Sequence, residues 1–419
     1  MYGAWADMRI RILEVDMPLV FVHGVSNRDT PEYHDNQLAR NAFFKSLVAP
    51  ALGLDGENLK VLNPYCGDQG VRFRWGNASL PESAPEIETF GSEFDPADLR
   101  IAADVLAEAP PDAPDIVAVA NRSLAEAIDI IWSTALPAAA TQAQAKALAE
   151  SYRSATAYAK SNPKPKWIAT AKPGNLIDQL LANVEVHDNT GPANPGSGAV
   201  QWESFGSGGV GLLDRLKEGL ERITSLPASA ASSVAVTLKR KSTHLAAAQF
   251  IGDVFQYLHK RGAKDTPGPI VRTVLDQFRA ARELLSPFDP MLIVVGHSLG
   301  GVISYDILSH FDVGMDVDVL ITVGSQVALF EEMALYLASR PDFNPDPSSD
   351  RIPRPTNVKQ WLNVLDPNDV FSFRAEGVFS GVKDYTYQTG YGAMAAHSGY
   401  FRRPSFYERL GERLAQGDE

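Results

Sequence analysis

A single cysteine, Cys66, is present among the 419 residues, so the chain cannot form an internal disulfide bond. Such cysteine usage is typical of proteins that work in a reducing compartment. The chain also lacks any uninterrupted run of about 18 apolar residues, the length that a membrane-spanning helix needs. Its first residues lack the basic-then-apolar order of a secretory signal. Together these absences favour a cytoplasmic protein.

Positive charge is scarce as well, because 38 Lys and Arg stand against 51 Asp and Glu, which gives a formal net charge of -13 at pH 7. This excess of negative charge repels phosphate backbones, so we expect no nucleic-acid partner. The histidines and carboxylates show neither an H-E-x-x-H pattern nor Cys/His ligand spacing, so we expect no metal and no cofactor. With 45% hydrophobic and 21% charged residues, the chain has the composition of a globular protein with a large core.

Short, wholly apolar runs occur at residues 17–22 and 291–295, and this pattern is typical of strands that are buried on both faces of a parallel sheet. Residues 317–323 and 358–364 predict two further strands. Residues 71–75 alternate between apolar and basic side chains, which predicts a strand nearer to the sheet edge.

Helical spacing of apolar residues lies between and after these runs. It is found at residues 36–47, 246–259, 270–285, 302–311 and 404–414. Strands that alternate with helices in this way predict an α/β fold, in which a mostly parallel sheet is flanked by helices on both faces.

Residues 77–245 differ in composition from the parts on either side, with proline clusters, alanine-rich helical stretches around 116–160 and a loop rich in Gly, Asn, Pro and Ser. We therefore divide the chain into a core, residues 1–76 and 246–419, and a large, mainly helical insertion, residues 77–245. The insertion either packs on the core as a subdomain or forms a mobile lid over an active site. Its amphipathic stretch at 211–223 packs in the same core or, alternatively, makes a peripheral contact with a membrane surface.

A G-x-S-x-G motif occurs once, at residues 296–300, directly after the apolar run 291–295 and directly before the helical pattern 302–311. In this strand–turn–helix setting the serine occupies a strained turn, and Gly296 and Gly300 leave room for the neighbouring strand and helix. The hydroxyl of Ser298 is then presented at the carboxyl end of the sheet. The helix N-terminus beneath it favours the negative charge that develops in acyl transfer. Ser298 is therefore the candidate nucleophile.

With this motif, the core resembles the α/β-hydrolase superfamily over residues 17–76 and 246–416. The residues His23-Gly24-Val25, which follow the first apolar run, are similar to the oxyanion loop of that family. The resemblance implies that the backbone N–H groups of Val25 and Leu299 stabilise the tetrahedral oxyanion. It leaves His23 and Gly24 in a supporting, structural role.

The base and the acid follow in the chain order of the family, which is serine, acid, histidine. His397 lies before the last helical pattern and is the candidate base. Asp366 and Asp369 both follow the strand predicted at 358–364. The resemblance favours Asp369 as the triad acid and leaves Asp366 as the alternative. For either residue, a loop aspartate that caps a turn is the competing interpretation.

Within the superfamily, the residues Gly-His-Ser-Leu-Gly-Gly at 296–301 and Ala-His-Ser-Gly-Tyr-Phe at 396–401 resemble lipase-like members. This implies a serine hydrolase that cleaves lipid or other small-molecule acyl esters through an acyl-enzyme. Residues 250–258 also resemble lipid-deacylating proteins, and we assign Asp253 in that stretch no catalytic role. The sequence departs from the usual family layout because its insertion precedes the nucleophile strand.

Two alternatives to an ester hydrolase remain open. A thioesterase, an amidase or an acyltransferase would use the same triad. From a different class, the chain would be an effector or interaction module whose helical insertion binds a partner, since a fold does not determine a function.

Overall fold

The computed structural model describes the part of the chain that contains the predicted core and much of the helical region. The described residues are 16–24, 27–76, 78–79, 116–135, 141–190, 216–217, 233–285, 291–340, 342–346, 349–391 and 393–416. Among them the alternation of strands and helices predicted from the sequence is confirmed.

Ten strands are present in the described part of the chain. They are β1 Met17–Val22, β2 Leu59–Leu62, β3 Gly262–Ala263, β4 Thr266–Pro267, β5 Ile293–His297, β6 Val317–Val323, β7 Ile352–Pro353, β8 Val358–Leu365, β9 Phe379–Ser380 and β10 Val382–Thr386. Six of them form one sheet in the order β10-β8-β6-β5-β1-β2, and each neighbouring pair in it is parallel. The short strands pair with one another as β3–β4 and β7–β9.

Twelve α-helical segments lie in the same described ranges. They are α1 Pro31–Phe43, α2 Ala49–Ala51, α3 Ile116–Arg122, α4 Leu124–Ala135, α5 Gln142–Ser161, α6 Leu176–Thr190, α7 Ser233–Lys260, α8 Pro269–Glu283, α9 Leu299–Asp306, α10 Val327–Glu332, α11 Ala393–Gly399 and α12 Pro404–Gln416. Single π-helical turns, Phe44–Val48 and Ile307–Phe311, continue α1 and α9. None of these helices combines the length and the apolar composition that a bilayer crossing requires.

The sheet is buried on both faces, which explains why β1 is wholly apolar and why β5 begins with three apolar residues. In β5, Ile293 and Val295 join the core on one face while Val294 joins the core on the other. The first core also contains residues of α1, α3–α6 and α12, and the second contains residues of α8, α9 and α10. Successive side chains of a strand point to opposite faces, so a sheet between two helical layers needs apolar residues at every position.

One strand prediction was wrong. Residues 71–75 form a loop and a turn, and the strand that the sheet gains in this region is β2, at Leu59–Leu62. The backbone N–H of Val71 donates to the carboxylate of Asp253, and its carbonyl accepts from Arg28. Because side chains satisfy these backbone groups, the segment needs no strand partner. The strand β10, at the opposite sheet edge, was not predicted at all.

The helices α3–α6 share the core of one sheet face. The ring of Tyr152 in α5 lies 6.4 Å from Trp132 in α4 and 6.3 Å from Phe43 in α1, and Phe43 lies 5.3 Å from Tyr407 in α12. The division of the chain at 76/77 and 245/246 stays a prediction, and α7 runs through the second of these boundaries without a break. Apart from residues 216–217, the amphipathic stretch 211–223 lies outside the described residues.

A buried carboxylate of α4 holds the start of α12. Asp129 is 3% exposed and accepts hydrogen bonds from the backbone N–H and the hydroxyl of Ser405, at 2.8 and 2.9 Å. The Nε of Arg403 donates to the same carboxylate. Asp129 thereby satisfies one of the N–H groups that every helix leaves unpaired in its first turn.

We expect Asp129→Asn to lower the free energy of unfolding by about 3 kcal/mol, because the substitution leaves the buried Arg403 guanidinium without a charged partner. Urea denaturation followed by circular dichroism measures this change. The control is Glu126→Gln in the same helix, which removes an exposed ion pair with Arg122 of α3 and should change stability by less than about 0.5 kcal/mol. Equal effects of the two substitutions would contradict the role given to Asp129.

Candidate active site

Ser298 stands between β5 and α9 on a strained backbone, with φ 55° and ψ −127°. Positive φ is unfavourable for a residue with a side chain, and such strain persists only where surrounding contacts hold it. Two contacts hold this backbone, one from the last residue of β6 and one from Ser325 just after that strand. The Ser298 N–H donates to the carbonyl of Val323 at 3.0 Å, and the hydroxyl of Ser325 donates to the Ser298 carbonyl at 2.9 Å.

The glycines of the motif lie where two backbones meet. A Cβ on Gly300 would lie 2.0 Å from the carbonyl oxygen of Val22 in β1, and a Cβ on Gly296 would lie 2.6 Å from the Cα of Gly301. Neither approach is compatible with a side chain. The turn can therefore bring the serine to the end of the sheet only because these two positions are glycine.

His397 connects Ser298 to Asp369. Its Nε2 lies 2.8 Å from the Ser298 hydroxyl oxygen, and its Nδ1 lies 3.0 and 3.1 Å from the two Asp369 oxygens. With the proton on Nδ1 donated to the carboxylate, Nε2 is left to accept the serine proton. Ser298 and Asp369 are buried, and the His397 side chain is 13% exposed. The arrangement suits the removal of the serine proton during a nucleophilic attack.

The two candidate acids have different surroundings. Asp369 accepts from the N–H of Phe371 at 2.9 Å and from the hydroxyl of Tyr400 at 3.1 Å, in addition to His397. Burial raises the pKa of Tyr400, so this phenol stays protonated and available as a donor. Asp366 instead accepts from the N–H and hydroxyl of Thr389, both at 2.7 Å, and from the N–H of Asn368. The geometry joins Asp369 to the histidine and gives Asp366 a loop-closing role.

Two further histidines support the site as neutral rings. Burial lowers the pKa of His297 to about 3 and that of His23 to about 4. A neutral His297 can donate from Nε2 to the carbonyl of His397, which lies 2.8 Å away. The Nδ1 of His23 lies 3.0 Å from the carbonyl of Gly24, and its Nε2 accepts from the N–H of Cys66.

The contact from His297 to the His397 carbonyl was not predicted from the sequence. The signal that could have found it is its position next to the nucleophile, in a strand that must be buried. The partner itself, a backbone carbonyl 100 positions away, has no signature in the sequence.

The residues expected to bind an oxyanion are described only in part. Leu299 is the first residue of α9 and directly follows Ser298, so its N–H belongs to a helix N-terminus. Val25 lies outside the described residues. Its neighbour Gly24 packs against the nucleophile, since a Cβ on Gly24 would lie 2.5 Å from the Ser298 Cβ. The Asn27 side chain donates to the Gly24 carbonyl at 2.9 Å and so ties the two ends of this loop together.

Aromatic rings border the histidine. Phe371 lies 5.1 Å and Phe250 lies 6.2 Å from the His397 ring, measured between ring centroids, and the two phenylalanines stack at 4.3 Å. Val370, next to Phe371, is 57% exposed. The surface beside the imidazole is therefore apolar. Within the described ranges, no three His, Cys, Asp or Glu side chains are grouped so that they could hold a metal ion.

No family model matches the chain, and its comparison with curated proteins and with solved structures gave no match. The chemistry of the site is therefore inferred from its own geometry.

We expect stability to fall as the pH drops below about 6.5. The unfolded chain then takes up protons at positions 23 and 297, whereas the folded pKa values of about 4 and 3 keep both rings neutral. Each histidine should contribute a slope of about 1.4 kcal/mol per pH unit between its unfolded and folded pKa.

Urea denaturation at a series of pH values from 7 to 5 measures this slope. In His297→Phe the slope of the unfolding free energy against pH should decrease by the contribution of one histidine, about 1.4 kcal/mol per pH unit. This holds whatever the substitution does to the stability at a single pH. An unchanged slope in this variant would contradict the assignment of a neutral His297.

Proposed function

We propose that the chain is a serine hydrolase of the α/β-hydrolase type that cleaves carboxylic esters. Ser298 is the nucleophile, His397 the general base and Asp369 the acid that orients the base. The observation that carries the proposal is the continuous hydrogen-bonded series from Asp369 through His397 to a serine held at φ 55° between a strand and a helix. In this proposal, residues 77–245 are an insertion that precedes the nucleophile strand.

The reaction begins with the attack of the Ser298 oxygen on the ester carbonyl carbon, while His397 Nε2 takes the hydroxyl proton. The carbonyl π electrons move onto its oxygen, and the N–H groups of Leu299 and Val25 stabilise the resulting oxyanion. The protonated His397 then donates its Nε2 proton to the leaving alcohol as the ester C–O bond breaks. The product of this half-reaction is an acyl-serine.

The second half-reaction repeats these steps with water. His397 takes a proton from the water as the water oxygen attacks the acyl carbon, and the Ser298 oxygen leaves and recovers that proton. Asp369 keeps the Nδ1 proton in place in both halves and stabilises the imidazolium that forms in each. The neutral His297 holds the backbone of the base through its carbonyl without placing a second positive charge beside it.

The rings beside His397 support an apolar ester as the substrate. The leaving oxygen must come within hydrogen-bond distance of Nε2, so the leaving group passes close to Phe371 and Phe250. Aromatic walls favour an apolar group over an anionic one, because they give an anion no hydrogen-bond partner. This fits lipid or other acyl esters. Thioesters and amides would use the same triad, and the comparison of their turnover with that of esters separates these activities.

We expect a fluorophosphonate probe to label Ser298, as located by mass spectrometry, and p-nitrophenyl esters to be turned over. Ser298→Ala should abolish labelling and lower kcat by at least about 10⁴-fold. His397→Ala should slow labelling strongly. The control is Ser304→Ala, which changes another buried serine on the same helix and should leave labelling intact. Absence of labelling and of turnover over a series of acyl chain lengths would favour an interaction module instead.

The pair Asp369→Asn and Asp366→Asn distinguishes the two candidate acids. Asp369→Asn should lower kcat by about 10³- to 10⁴-fold, because an amide stabilises neither the required tautomer of His397 nor its charged form. Asp366→Asn should mainly lower the melting temperature, since its carboxylate binds Thr389 and Asn368, and should lower kcat by less than about tenfold. The opposite ranking of the two kcat values would assign the acid role to Asp366.

A further inference from the structure

Asp253 of α7 is a buried carboxylate that faces the loop following β1. Its Oδ1 lies 2.9 Å and its Oδ2 lies 3.2 Å from two different nitrogens of the Arg28 guanidinium. The N–H of Val71 donates to Oδ1 at 2.6 Å. The Asp253 side chain is only 7% exposed and that of Arg28 is 30% exposed. A two-pronged pair of this kind fixes the orientation as well as the position of the guanidinium.

A series of contacts runs from this ion pair to the nucleophile. Arg28 donates to the carbonyl of Asn27 at 2.9 Å. The Asn27 side chain donates to the carbonyl of Gly24 at 2.9 Å, and Gly24 packs directly against Ser298. The same Gly24 carbonyl also lies 3.0 Å from Nδ1 of His23. Two side chains therefore contact the backbone at Gly24 through this carbonyl.

The same helix also contacts the base. Phe250 lies one helical turn before Asp253, and its ring approaches that of His397. Helix α7 therefore contacts the His397 ring through Phe250 and the loop beside Ser298 through Asp253. A buried ion pair adds little net stability compared with apolar packing.

We infer that Asp253 is a positioning residue, which acts through Arg28 to hold the backbone at Gly24 against the nucleophile. Gly24 directly precedes Val25 in the sequence, and Val25 is the expected oxyanion donor, so we expect loss of the contact at Gly24 to slow the reaction. The inference rests on the proposed function. It gives a role to the stretch 250–258, which the triad leaves unused.

The first test is the kinetics of Asp253→Asn with a short p-nitrophenyl ester. Asparagine keeps the volume and an oxygen for Val71, but it loses the charge that pairs with Arg28. We expect kcat to fall by about 10- to 100-fold, less than the roughly 10²- to 10³-fold for the removal of an oxyanion donor itself. KM should stay within about twofold, because the lost contact acts mainly on the transition state.

A boronic acid inhibitor provides a second readout, since it forms a tetrahedral adduct with the serine. Its inhibition constant should rise by about the same factor as kcat/KM falls across Asp253→Asn, Arg28→Gln and Arg28→Lys, with Arg28→Lys the least affected. In the double variant Arg28→Gln/Asp253→Asn, kcat/KM should be no lower than in either single variant, because both changes remove the same interaction.

The matched control is Arg261→Gln. Arg261 follows α7 and pairs at 3.1 Å with Asp306, another buried carboxylate. Asp306 lies eight residues beyond Ser298, about 12 Å along α9. This variant should therefore lower the melting temperature while kcat stays within about twofold of wild type. If kcat falls as much in Arg261→Gln as in Asp253→Asn, the effect is general destabilisation and the inference is wrong.

Hydrogen–deuterium exchange tests the loop without any substrate. Amides in the peptide that contains Gly24 and Arg28 should exchange faster in Asp253→Asn than in wild type, and at the wild-type rate in Arg261→Gln. Unchanged exchange in Asp253→Asn overturns the inference, even if the wild-type protein proves inactive. Inactivity of the wild-type protein towards esters and fluorophosphonate would overturn the proposed function separately.

Discussion

The left-handed backbone at Ser298 is the constraint on which the rest of the site depends. A residue with a side chain in such a conformation costs on the order of 1–3 kcal/mol, so neighbouring groups must hold it. The Val323 carbonyl at the end of β6 and the Ser325 hydroxyl just after it do so, and the absence of side chains at Gly296 and Gly300 lets the turn approach β1 and the helix. The position of the serine is thus determined by three neighbouring strands at once.

Three buried side chains near Ser298 and His397 are uncharged. The low pKa values of His23 and His297 leave both rings uncharged, so their N–H groups bind backbone carbonyls without adding a field that would oppose a charged His397. Tyr400, whose pKa is raised by burial, likewise stays protonated and donates to Asp369. Beside the proposed triad, these three side chains therefore stay uncharged at neutral pH.

The sequence predicted the parts of the molecule that have a strong local pattern. Continuous apolar runs identified β1 and β5, and β6 and β8 were also predicted as strands. The prediction failed for β2, which is short and half-exposed at a sheet edge, and for residues 71–75, where the side chains of Arg28 and Asp253 replace a neighbouring strand. The members of the hydrogen-bonded series could be named because a family resemblance supplied their order. The contacts of His297, Tyr400 and Asp253 join positions far apart in the chain, and no spacing rule reveals them.

The position of β1 between β5 and the edge strand β2 affects the synthesis of the chain. Val20 pairs with Val294, 274 positions later, while the other neighbour of β1 is the short edge strand β2. At translation rates of about 5–20 residues per second, the edge of β1 that pairs with β5 stays unpaired for roughly 15–55 s before β5 is synthesised. Pairings over such distances also form slowly. The nascent protein should accordingly depend on chaperones that shield this strand, and its yield in a heterologous host should respond to growth temperature more than its final stability would suggest.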